Sequence, residues 1–342
     1  MHEALFYEKL GEDKVRCGLC RFRCLIQEGK KGICSVRENR GGMLYSLVYG
    51  RLVAENVDPV EKKPLFHFLP GSRTYSIATR GCNFRCLHCQ NYQISQNISV
   101  DSLAADPEVT PGEIVDSAIA AGCRSISYTY TEPTIFYEFA YDTAKLAHER
   151  GLKNIFVTNG YITPEALAYL APYLDAANID LKGFTERFYR DVAHAVLAEV
   201  LDSIVTYKKH GIWIELTTLL IPGLNDSAEE LRDLARFIVE RVGPDTPWHV
   251  TQFYPTYKLQ NVRRTPIDTL RKARQIGLDA GIRYVYEGNV PGEGGENTFC
   301  PRCHKPLVVR FGFRVESNLL AAGACPACSM AIAGLWRDEI LS

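Results

Sequence analysis

The sequence lacks a long apolar segment. Its first residues, MHEALFYEKLGEDKV, contain no apolar core of the kind found in signal peptides, and no uninterrupted apolar run approaches the roughly 18 residues of a membrane span. Internal repeats and low-complexity tracts are absent as well. We therefore expect a cytoplasmic protein without a membrane partner.

A marked excess of charge is also missing. Lys and Arg total 39 against 40 Asp and Glu, a formal net charge of −1, so charge provides no general case for a nucleic-acid partner. The local exception is the segment 14–40, where basic side chains outnumber acidic ones. No aromatic stacking platform separates these charges, which favours a solvated face beside a metal site over a nucleic-acid patch.

The size and composition suit a globular protein with a sizeable core. The chain has 342 residues, of which 46% are hydrophobic and 23% are charged. Such a length exceeds one average domain but fits a barrel-sized domain with small additions.

Cysteine, in contrast, is abundant and clustered. In a reducing compartment, clustered thiols indicate metal ligands rather than disulfides. Cys123 stands alone, and we expect it to be a small buried apolar residue. The other eleven of the 12 cysteines form three clusters: Cys17, Cys20, Cys24 and Cys34; Cys82, Cys86 and Cys89; Cys300, Cys303, Cys325 and Cys328.

Short β-rich runs alternate with helical segments from residue 75 to about 290. This alternation predicts parallel β/α units of the α/β class, and the polar loops after the strands favour a partial TIM barrel of the (β/α)6 type over a doubly wound sheet. Thr110 with Glu113, and Ser227 with Glu230, predict capping boxes at two helix starts. The predicted strands are 74–79, 125–130, 154–158, 176–181, 212–220, 249–253 and 283–287.

Flanking segments differ from the predicted barrel in character. We expect three parts: a Cys-rich N-terminal segment, 1–73; the barrel, 74–297; and a small four-cysteine module, 298–342. Within the first part, the Pro-punctuated stretch ENVDPVEKKPLFHFLPGS is predicted to cover the barrel.

The stretch RGCNFRCLHCQNY places Cys82, Cys86 and Cys89 directly after the first barrel strand. A cubane cluster has four irons, so three thiolates leave one iron without a protein ligand. The C-x3-C-x2-C spacing resembles the radical S-adenosylmethionine (radical SAM) superfamily, which implies a [4Fe–4S] cluster whose open iron chelates SAM. The alternative is a zinc site completed by His88 or a distant residue, although structural zinc favours four ligands in paired spacings.

The resemblance implies roles for further residues. Their alternatives are a dipole-stabilised carboxylate for Glu132, an internal ion pair for the Asp180 and Lys182 side chains, and a structural role for His249. The expected cofactor-binding residues are His88 near adenine and Thr131 and Glu132 in the place of the family's GGE motif, while Asp180, Lys182 and His249 are the expected catalytic residues. Asn159 is added as a polar strand end that is able to contact the cofactor, and its alternative is turn chemistry.

The two outer cysteine clusters each contain four thiols. Cys17, Cys20, Cys24 and Cys34 suit either zinc or a second iron–sulfur cluster, and the sequence leaves the choice open. The two C-x2-C pairs of Cys300, Cys303, Cys325 and Cys328 predict a zinc ribbon rather than a rubredoxin-like iron site, because zinc explains stability without a redox role.

Five stretches carry a closer resemblance over nearly the whole chain: ALFYEKL, VRCGLCRFRC, VDPVEKKPLFHFLPGS, GCNFRCLHCQN and ENTFCPRC. They resemble the AmmeMemoRadiSam system radical SAM enzymes, which are related to the pyruvate formate-lyase (glycyl-radical enzyme) activating enzymes. This implies reductive cleavage of SAM, a flavodoxin- or ferredoxin-type electron donor, and a substrate that we expect to be a partner protein or, alternatively, an RNA or a small molecule. A hypothesis from another class is a non-catalytic iron–sulfur or zinc protein that transfers electrons or docks a partner.

Overall fold

The computed structural model describes residues 2–96 and 98–336. The last residues of the predicted C-terminal module, 337–342, lie outside this range. No helix within the described part of the chain is both long and apolar enough to cross a membrane.

The N-terminal segment forms two small antiparallel sheets that pack on the barrel. One sheet has the strand order β1-β6-β5 and the other β2-β3-β4. Their strands are β1 (His2–Glu3), β2 (Tyr7–Lys9), β3 (Val15–Cys17), β4 (Leu25–Ile26), β5 (Arg37–Arg40) and β6 (Met43–Ser46).

An eight-stranded sheet forms the centre of the protein. Seven of its strands are parallel and follow one another in chain order, which confirms the α/β partial barrel. All seven predicted strands occur, with ends shifted by no more than two residues. The parallel strands are β8 (Arg73–Ala78), β9 (Ser125–Tyr128), β10 (Lys153–Thr158), β11 (Ala176–Asp180), β12 (Trp213–Leu220), β13 (Trp248–Gln252) and β14 (Val285–Gly288).

The eighth strand, β7 (Ala54–Pro59), pairs antiparallel with β8 at the sheet edge. The expectation that this stretch only covers the barrel was therefore wrong for its first part. Three of its six residues are exposed, and it ends in proline, so it has the polar pattern of an edge strand rather than the apolar pattern that marks the buried strands. The following residues enter the open barrel, where Leu65 and Phe68 pack in a cluster with Ile155.

Helices connect successive parallel strands, as expected for right-handed β/α crossovers. Thr110 and Glu113 form the predicted capping box. Ser227 also caps its helix, but the second half of that predicted box is wrong, because the Glu230 carboxylate accepts the N–H of Phe184 instead. The α-helices are α1 (Tyr92–Ser95), α2 (Val100–Ala105), α3 (Pro111–Ala120), α4 (Tyr137–Glu149), α5 (Pro164–Leu170), α6 (Glu186–Phe188), α7 (Leu197–Lys209), α8 (Ala228–Phe237) and α9 (Ile267–Asp279).

Short segments of other helical geometry extend several of these helices, and one such segment directly follows β7. The 3-10 segments are Val60–Lys62, Pro133–Phe136 and Ala171–Tyr173, and the π-helical segments are Tyr189–Ala193 and Ile238–Val242.

The C-terminal module is a three-stranded antiparallel sheet whose small core also includes Phe66, Tyr284 and Tyr286 from the rest of the chain. Its strands are β15 (Thr298–Phe299), β16 (Pro306–Phe311) and β17 (Arg314–Asn318). Buried Arg310 ties the module to the barrel, because its Nη2 donates to the carbonyl of Phe66 at 2.7 Å and its Nε lies 3.7 Å from Glu61. The module is thus anchored by a charged contact inside the protein.

Candidate active site

One cavity of about 470 Å³ opens where the parallel strands end. Parallel strands bring their carboxyl ends to one edge, so residues far apart in sequence meet there. The volume is in the range of pockets that hold small molecules. Its lining includes Cys82, Cys86, His88, Cys89, Thr131, Thr158, Asn159, Asp180, Lys182, Thr217, Thr251 and Asn289.

The three-cysteine loop forms one wall of this cavity. Cys82 and Cys86 are buried, and Cys89 is partly exposed. Three ligands of a single metal ion would have their donor atoms within about 4.8 Å of one another. In residues 2–96 and 98–336, the three sulfurs of this loop do not form such a group, either together or with neighbouring ligand atoms. Wider spacing fits a polynuclear cluster, in which each thiolate binds a different iron. The open side of the loop faces the cavity, so the residues present fit a [4Fe–4S] cluster with one accessible iron.

His88 also lines the cavity. Its Nδ1 is buried without a hydrogen-bond partner among the described residues. Burial, followed by the charge of Lys182, lowers the pKa of His88 to about 3, so the ring is neutral at pH 7. A neutral ring with an unpaired nitrogen faces the space where a ligand would lie.

Asp180 and Lys182 form an ion pair in the wall, with Nζ 2.8 Å from Oδ2. Lys182 is 11% exposed and Asp180 is 34% exposed, so the carboxylate is the more accessible partner. Burial acts to lower the pKa of Lys182, but the charges of Asp180 and Cys86 outweigh it and raise that pKa above its usual value. Asp180 and Lys182 therefore form the ion pair that was the alternative to a functional role, and both residues also line the cavity.

Asn159 reaches the cluster loop directly. Its Nδ2 donates to Asn83 Oδ1 at 3.2 Å and lies 3.4 Å from Cys82 Sγ. Thr131 lines the cavity with its hydroxyl donated to the carbonyl of Thr79 at 2.9 Å. The structure therefore brings both predicted cofactor-binding residues to the cavity.

Glu132 does not line the cavity. It is fully buried, and its carboxylate accepts four hydrogen bonds, from Thr134 N and Oγ1, Thr158 Oγ1 and Asn159 N, at 2.6–3.0 Å. This placement argues against the expected contact with SAM, because both oxygens are already used. Glu132 instead holds Asn159 in position.

His249 lies in the barrel interior, one layer below the cavity. Side chains alternate along a strand, so His249 shares a face with Thr251, which does line the cavity. Its Nε2 is 2.7 Å from the buried carboxylate of Glu215, and its ring packs against Phe66. The structure therefore supports the structural alternative for His249 rather than direct contact with a ligand.

A charged cluster at the cavity mouth was missed from the sequence. Asp58 accepts Lys62 Nζ at 2.8 Å and Lys63 Nζ at 2.7 Å, and the Tyr130 hydroxyl donates to the same carboxylate. Tyr130 has φ +64°, a left-handed conformation that glycine adopts at lower cost, and it stands where the family's motif has glycine. The adjacent lysines were visible in VEKKP, but no sequence pattern predicts that Lys63 is buried.

Phe313 is a second missed residue. It belongs to the hairpin of the C-terminal module, yet it lines the same cavity. It is 46% exposed. The module expected to be a separate addition thus contributes to the site.

The C-terminal cysteines form a compact group. Cys300, Cys303, Cys325 and Cys328 place all four sulfurs within 4.8 Å of one another, with Cys300–Cys328 at 3.5 Å and Cys303–Cys325 at 3.6 Å. A tetrahedral zinc ion with Zn–S bonds of about 2.3 Å would separate its sulfurs by about 3.8 Å. The geometry therefore fits one metal ion.

The N-terminal cysteines also converge. Cys17 N donates to the carbonyl of Cys24 at 2.9 Å, and a Cβ added at Gly32 would lie 3.8 Å from Cys24 Sγ. Burial, followed by the charge of Cys17, raises the pKa of Cys20, with smaller contributions from Cys34 and Cys24. The lone Cys123 is buried in the core, as expected.

The basic residues of segment 14–40 are largely paired with carboxylates. Arg21 pairs with Glu199 and Asp202 at 2.6 Å each, and Arg37 pairs with Glu138 at 2.9 Å. The Arg37 pair is buried, so this part of the segment is not the solvated face that we expected.

Comparison with known proteins shows which family has this fold and its three-cysteine loop. The sequence model of the radical SAM superfamily matches residues 76–238. The chain is 49% identical over 316 residues to the uncharacterized protein MJ0808 of Methanocaldococcus jannaschii. The aligned region covers 92% of this chain and 93% of that protein. The chain therefore belongs to the radical SAM superfamily.

Two further similarities agree with this assignment. The putative glycyl-radical enzyme activating enzyme MJ1632 of Methanocaldococcus jannaschii is 27% identical over 209 residues, or 59% of this chain and 76% of that protein. The crystal structure of Streptococcus suis SuiB bound to S-adenosylmethionine superposes with a TM-score of 0.51 at 13% identity, over 67% of this chain and 53% of that one. The latter shows a shared fold.

Proposed function

We propose that this chain is an enzyme that binds SAM at a [4Fe–4S] cluster held by Cys82, Cys86 and Cys89 and cleaves it reductively. The observation that carries the proposal is the shared cavity, since the three thiols and the ends of the parallel strands line one space. A cluster held there and reduced by a flavodoxin- or ferredoxin-type donor would supply the electron that splits SAM into methionine and a 5′-deoxyadenosyl radical, which would remove a hydrogen atom from a substrate.

The chain's own residues would orient SAM. Asn159 stabilises the loop through Asn83 and reaches Cys82, while Thr131 and the neutral His88 line the cavity around the ligand. The Lys182 ammonium lies near Cys86 and balances the negative charge of a thiolate cluster, while Asp180 remains accessible for a polar group of SAM or substrate. Burial of His88 and Asn159 strengthens their interactions with a bound ligand.

The substrate that we propose is a partner protein, as in activating enzymes. The putative activating enzyme among the relatives supports this choice, and the exposed Phe313 at the cavity gives a protein segment an apolar surface to contact. At the C-terminal cysteines we propose one zinc ion, because the sulfur spacing suits a single tetrahedral metal.

The test of SAM cleavage measures 5′-deoxyadenosine after anaerobic reconstitution with iron and sulfide and addition of dithionite and SAM. We expect product from the wild type and none from Cys82→Ala, Cys86→Ala or Cys89→Ala. Cys123→Ala is the matched control, because Cys123 lies outside the three cysteine clusters. A reconstituted wild type that neither binds nor cleaves SAM would favour the non-catalytic iron–sulfur or zinc protein.

The substrate class requires a separate experiment. Extract from cells grown on deuterated medium is divided into protein, RNA and small-molecule fractions, and each is incubated with the enzyme and unlabelled SAM. We expect deuterium to enter 5′-deoxyadenosine with the protein fraction. Transfer from one of the other fractions would replace the protein substrate by an RNA or a small molecule.

A further inference from the structure

The thiols of Cys17, Cys20, Cys24 and Cys34 come together in a loop that packs beside the Cys82–Cys89 loop. Cys17 ends β3, Cys20 lies in the following turn, and Cys24 pairs back with Cys17 through the backbone. Burial raises the pKa of Cys34, and the charges of Cys17 and Cys24 add smaller contributions in the same direction. Three of the four thiols are buried and Cys24 is partly exposed, so the site is enclosed.

The spacing of these sulfurs differs from that of the C-terminal group. In the part of the chain that the structure describes, the C-terminal cysteines are the group whose ligand atoms all lie within 4.8 Å, and no three of the N-terminal thiols meet that limit. A single zinc ion requires sulfurs about 3.8 Å apart. Among the described residues, the three thiols of the Cys82–Cys89 loop do not meet the 4.8 Å limit either. Thiolates that each bind a different metal atom of a cluster need not lie as close as the ligands of one ion.

The surroundings suit a cluster of negative charge. Burial raises the pKa of the Cys20, Cys24 and Cys34 thiols, and nearby backbone N–H groups of Phe22, Ile33 and Val36, respectively, act in the opposite direction. N–H groups near cluster sulfurs stabilise their negative charge. The buried guanidinium of Arg37, which pairs with Glu138 at 2.9 Å, also lies near Cys17 and Cys34.

The two cysteine loops are in direct contact. Arg85 lies between Cys82 and Cys86 in the chain, and it donates to the carbonyl of Ile33 and, at 3.1 Å, to Ser35 Oγ. Phe22 and Phe84 meet edge to face with ring centroids 6.4 Å apart. Each aromatic ring comes from inside one cysteine loop, so the loops pack through their own side chains.

Gly81 sets how closely the loops approach. It has φ +104°, and a Cβ there would lie 3.0 Å from the carbonyl oxygen of Cys34 and 2.8 Å from Val36 Cγ1. Because neighbouring Cα atoms are about 3.8 Å apart, the Cα atoms of Cys34 and Cys82 are separated by at most about 11 Å. Only glycine fits at this position without displacing the N-terminal loop.

We propose that Cys17, Cys20, Cys24 and Cys34 hold a second iron–sulfur cluster, not a zinc ion, and that this cluster packs directly against the SAM-binding loop. The site takes iron and sulfide as its ligands. The proposal goes beyond SAM cleavage and does not depend on it, because the thiols of the second site come from outside the cavity.

The first test uses the full chain with Cys82→Ala, Cys86→Ala and Cys89→Ala combined, reconstituted anaerobically with iron and sulfide. We expect about four irons and about four sulfides per chain to remain, with an electron paramagnetic resonance (EPR) signal on reduction. Iron at background level with about two zinc ions per chain would overturn the proposal. Adding Cys20→Ala should abolish the iron, whereas adding Cys123→Ala should not. The triple variant alone decides the outcome if the Cys20 variant fails to fold.

The second test concerns the contact between the loops. In the reduced wild type, we expect the EPR signals of the two clusters to be broadened or split by their magnetic interaction, and the signal of the triple variant to be narrow. A wild-type spectrum equal to the sum of two independent signals would refute the contact. If the triple variant retains its iron but the wild type forms no 5′-deoxyadenosine, the proposed function fails while the second cluster stands.

Discussion

Glu132→Gln distinguishes a positioning role for Glu132 from direct contact with SAM. The carboxylate accepts four hydrogen bonds, and an amide can replace only one of its two oxygens as an acceptor. If the amide oxygen faces Thr134 and Thr158, the amide nitrogen meets the N–H of Asn159, and two donors then point at each other. Asn159 should therefore move and lose its contact with Cys82.

The magnitude follows from these bonds. An unsatisfied backbone N–H costs about 2 kcal/mol, and weakening three charge-assisted bonds to neutral ones costs about 3 kcal/mol more. Burial raises the pKa of Glu132, so replacing the charge by a neutral amide recovers about 2 kcal/mol of desolvation free energy. The net loss in the free energy of unfolding is about 3 kcal/mol. For a large domain this lowers Tm by about 6 °C.

The assay is thermal unfolding followed by circular dichroism at equal iron content, together with the Kd for SAM by equilibrium dialysis. Thr134→Val is the matched control, because it removes one hydroxyl donor but leaves Asn159 bonded, and should cost about 1 kcal/mol. An unchanged Tm combined with a tenfold weaker Kd would refute the positioning role and show that Glu132 contacts SAM.

Three further predictions concern the charged cluster and the C-terminal module. Burial lowers the pKa of Lys63 to about 8 in the folded protein. The stability that Lys63 contributes is therefore fully present above the pKa that Lys63 has in the unfolded chain, and it is lost as the pH falls through 8. Between pH 8 and 10 the free energy of unfolding in urea should rise about 1 kcal/mol per pH unit more steeply in wild type than in Lys63→Met, and a shallower wild-type slope would contradict this. Arg310→Met leaves the buried Glu61 carboxylate uncompensated, so urea unfolding should show a loss of about 3–5 kcal/mol, partly restored by adding Glu61→Gln; a loss below about 1 kcal/mol would contradict it. Cys303→Ser removes one of the four C-terminal thiolates, so elemental analysis should find about one zinc fewer per chain than in wild type, and unchanged zinc would argue against the site.

Local signals in the sequence predicted local structure well. The Thr110–Glu113 capping box forms because its two partners lie in one helical turn. The Ser227–Glu230 pattern has the same spacing, yet a distant N–H at Phe184 takes the Glu230 carboxylate. Sequence spacing therefore predicts which groups are able to bond, whereas tertiary contacts decide among competing partners.

In the candidate site, too, local sequence patterns predicted some placements and tertiary contacts decided others. Side chains on adjacent positions of one face, such as Asp180 and Lys182, were predicted to meet because strand periodicity determines their direction. Glu132 was assigned to the cavity from its place after β9, but the fold turns it inward to Asn159. Lys63 and Phe313 were missed, since each reaches the cavity from a segment outside the β/α repeat.

The sequence by itself determined the parallel β/α order, the three-thiol loop and the grouping of the other cysteines, because periodicity and short spacings encode them. Tertiary structure alone decided that residues 54–59 extend the sheet, that Glu132 and His249 lie behind the cavity wall, and that the loops of Cys34 and Cys82 meet at Gly81. These features depend on how distant segments pack. Contacts between distant segments depend on the three-dimensional fold, and local sequence patterns do not predict them.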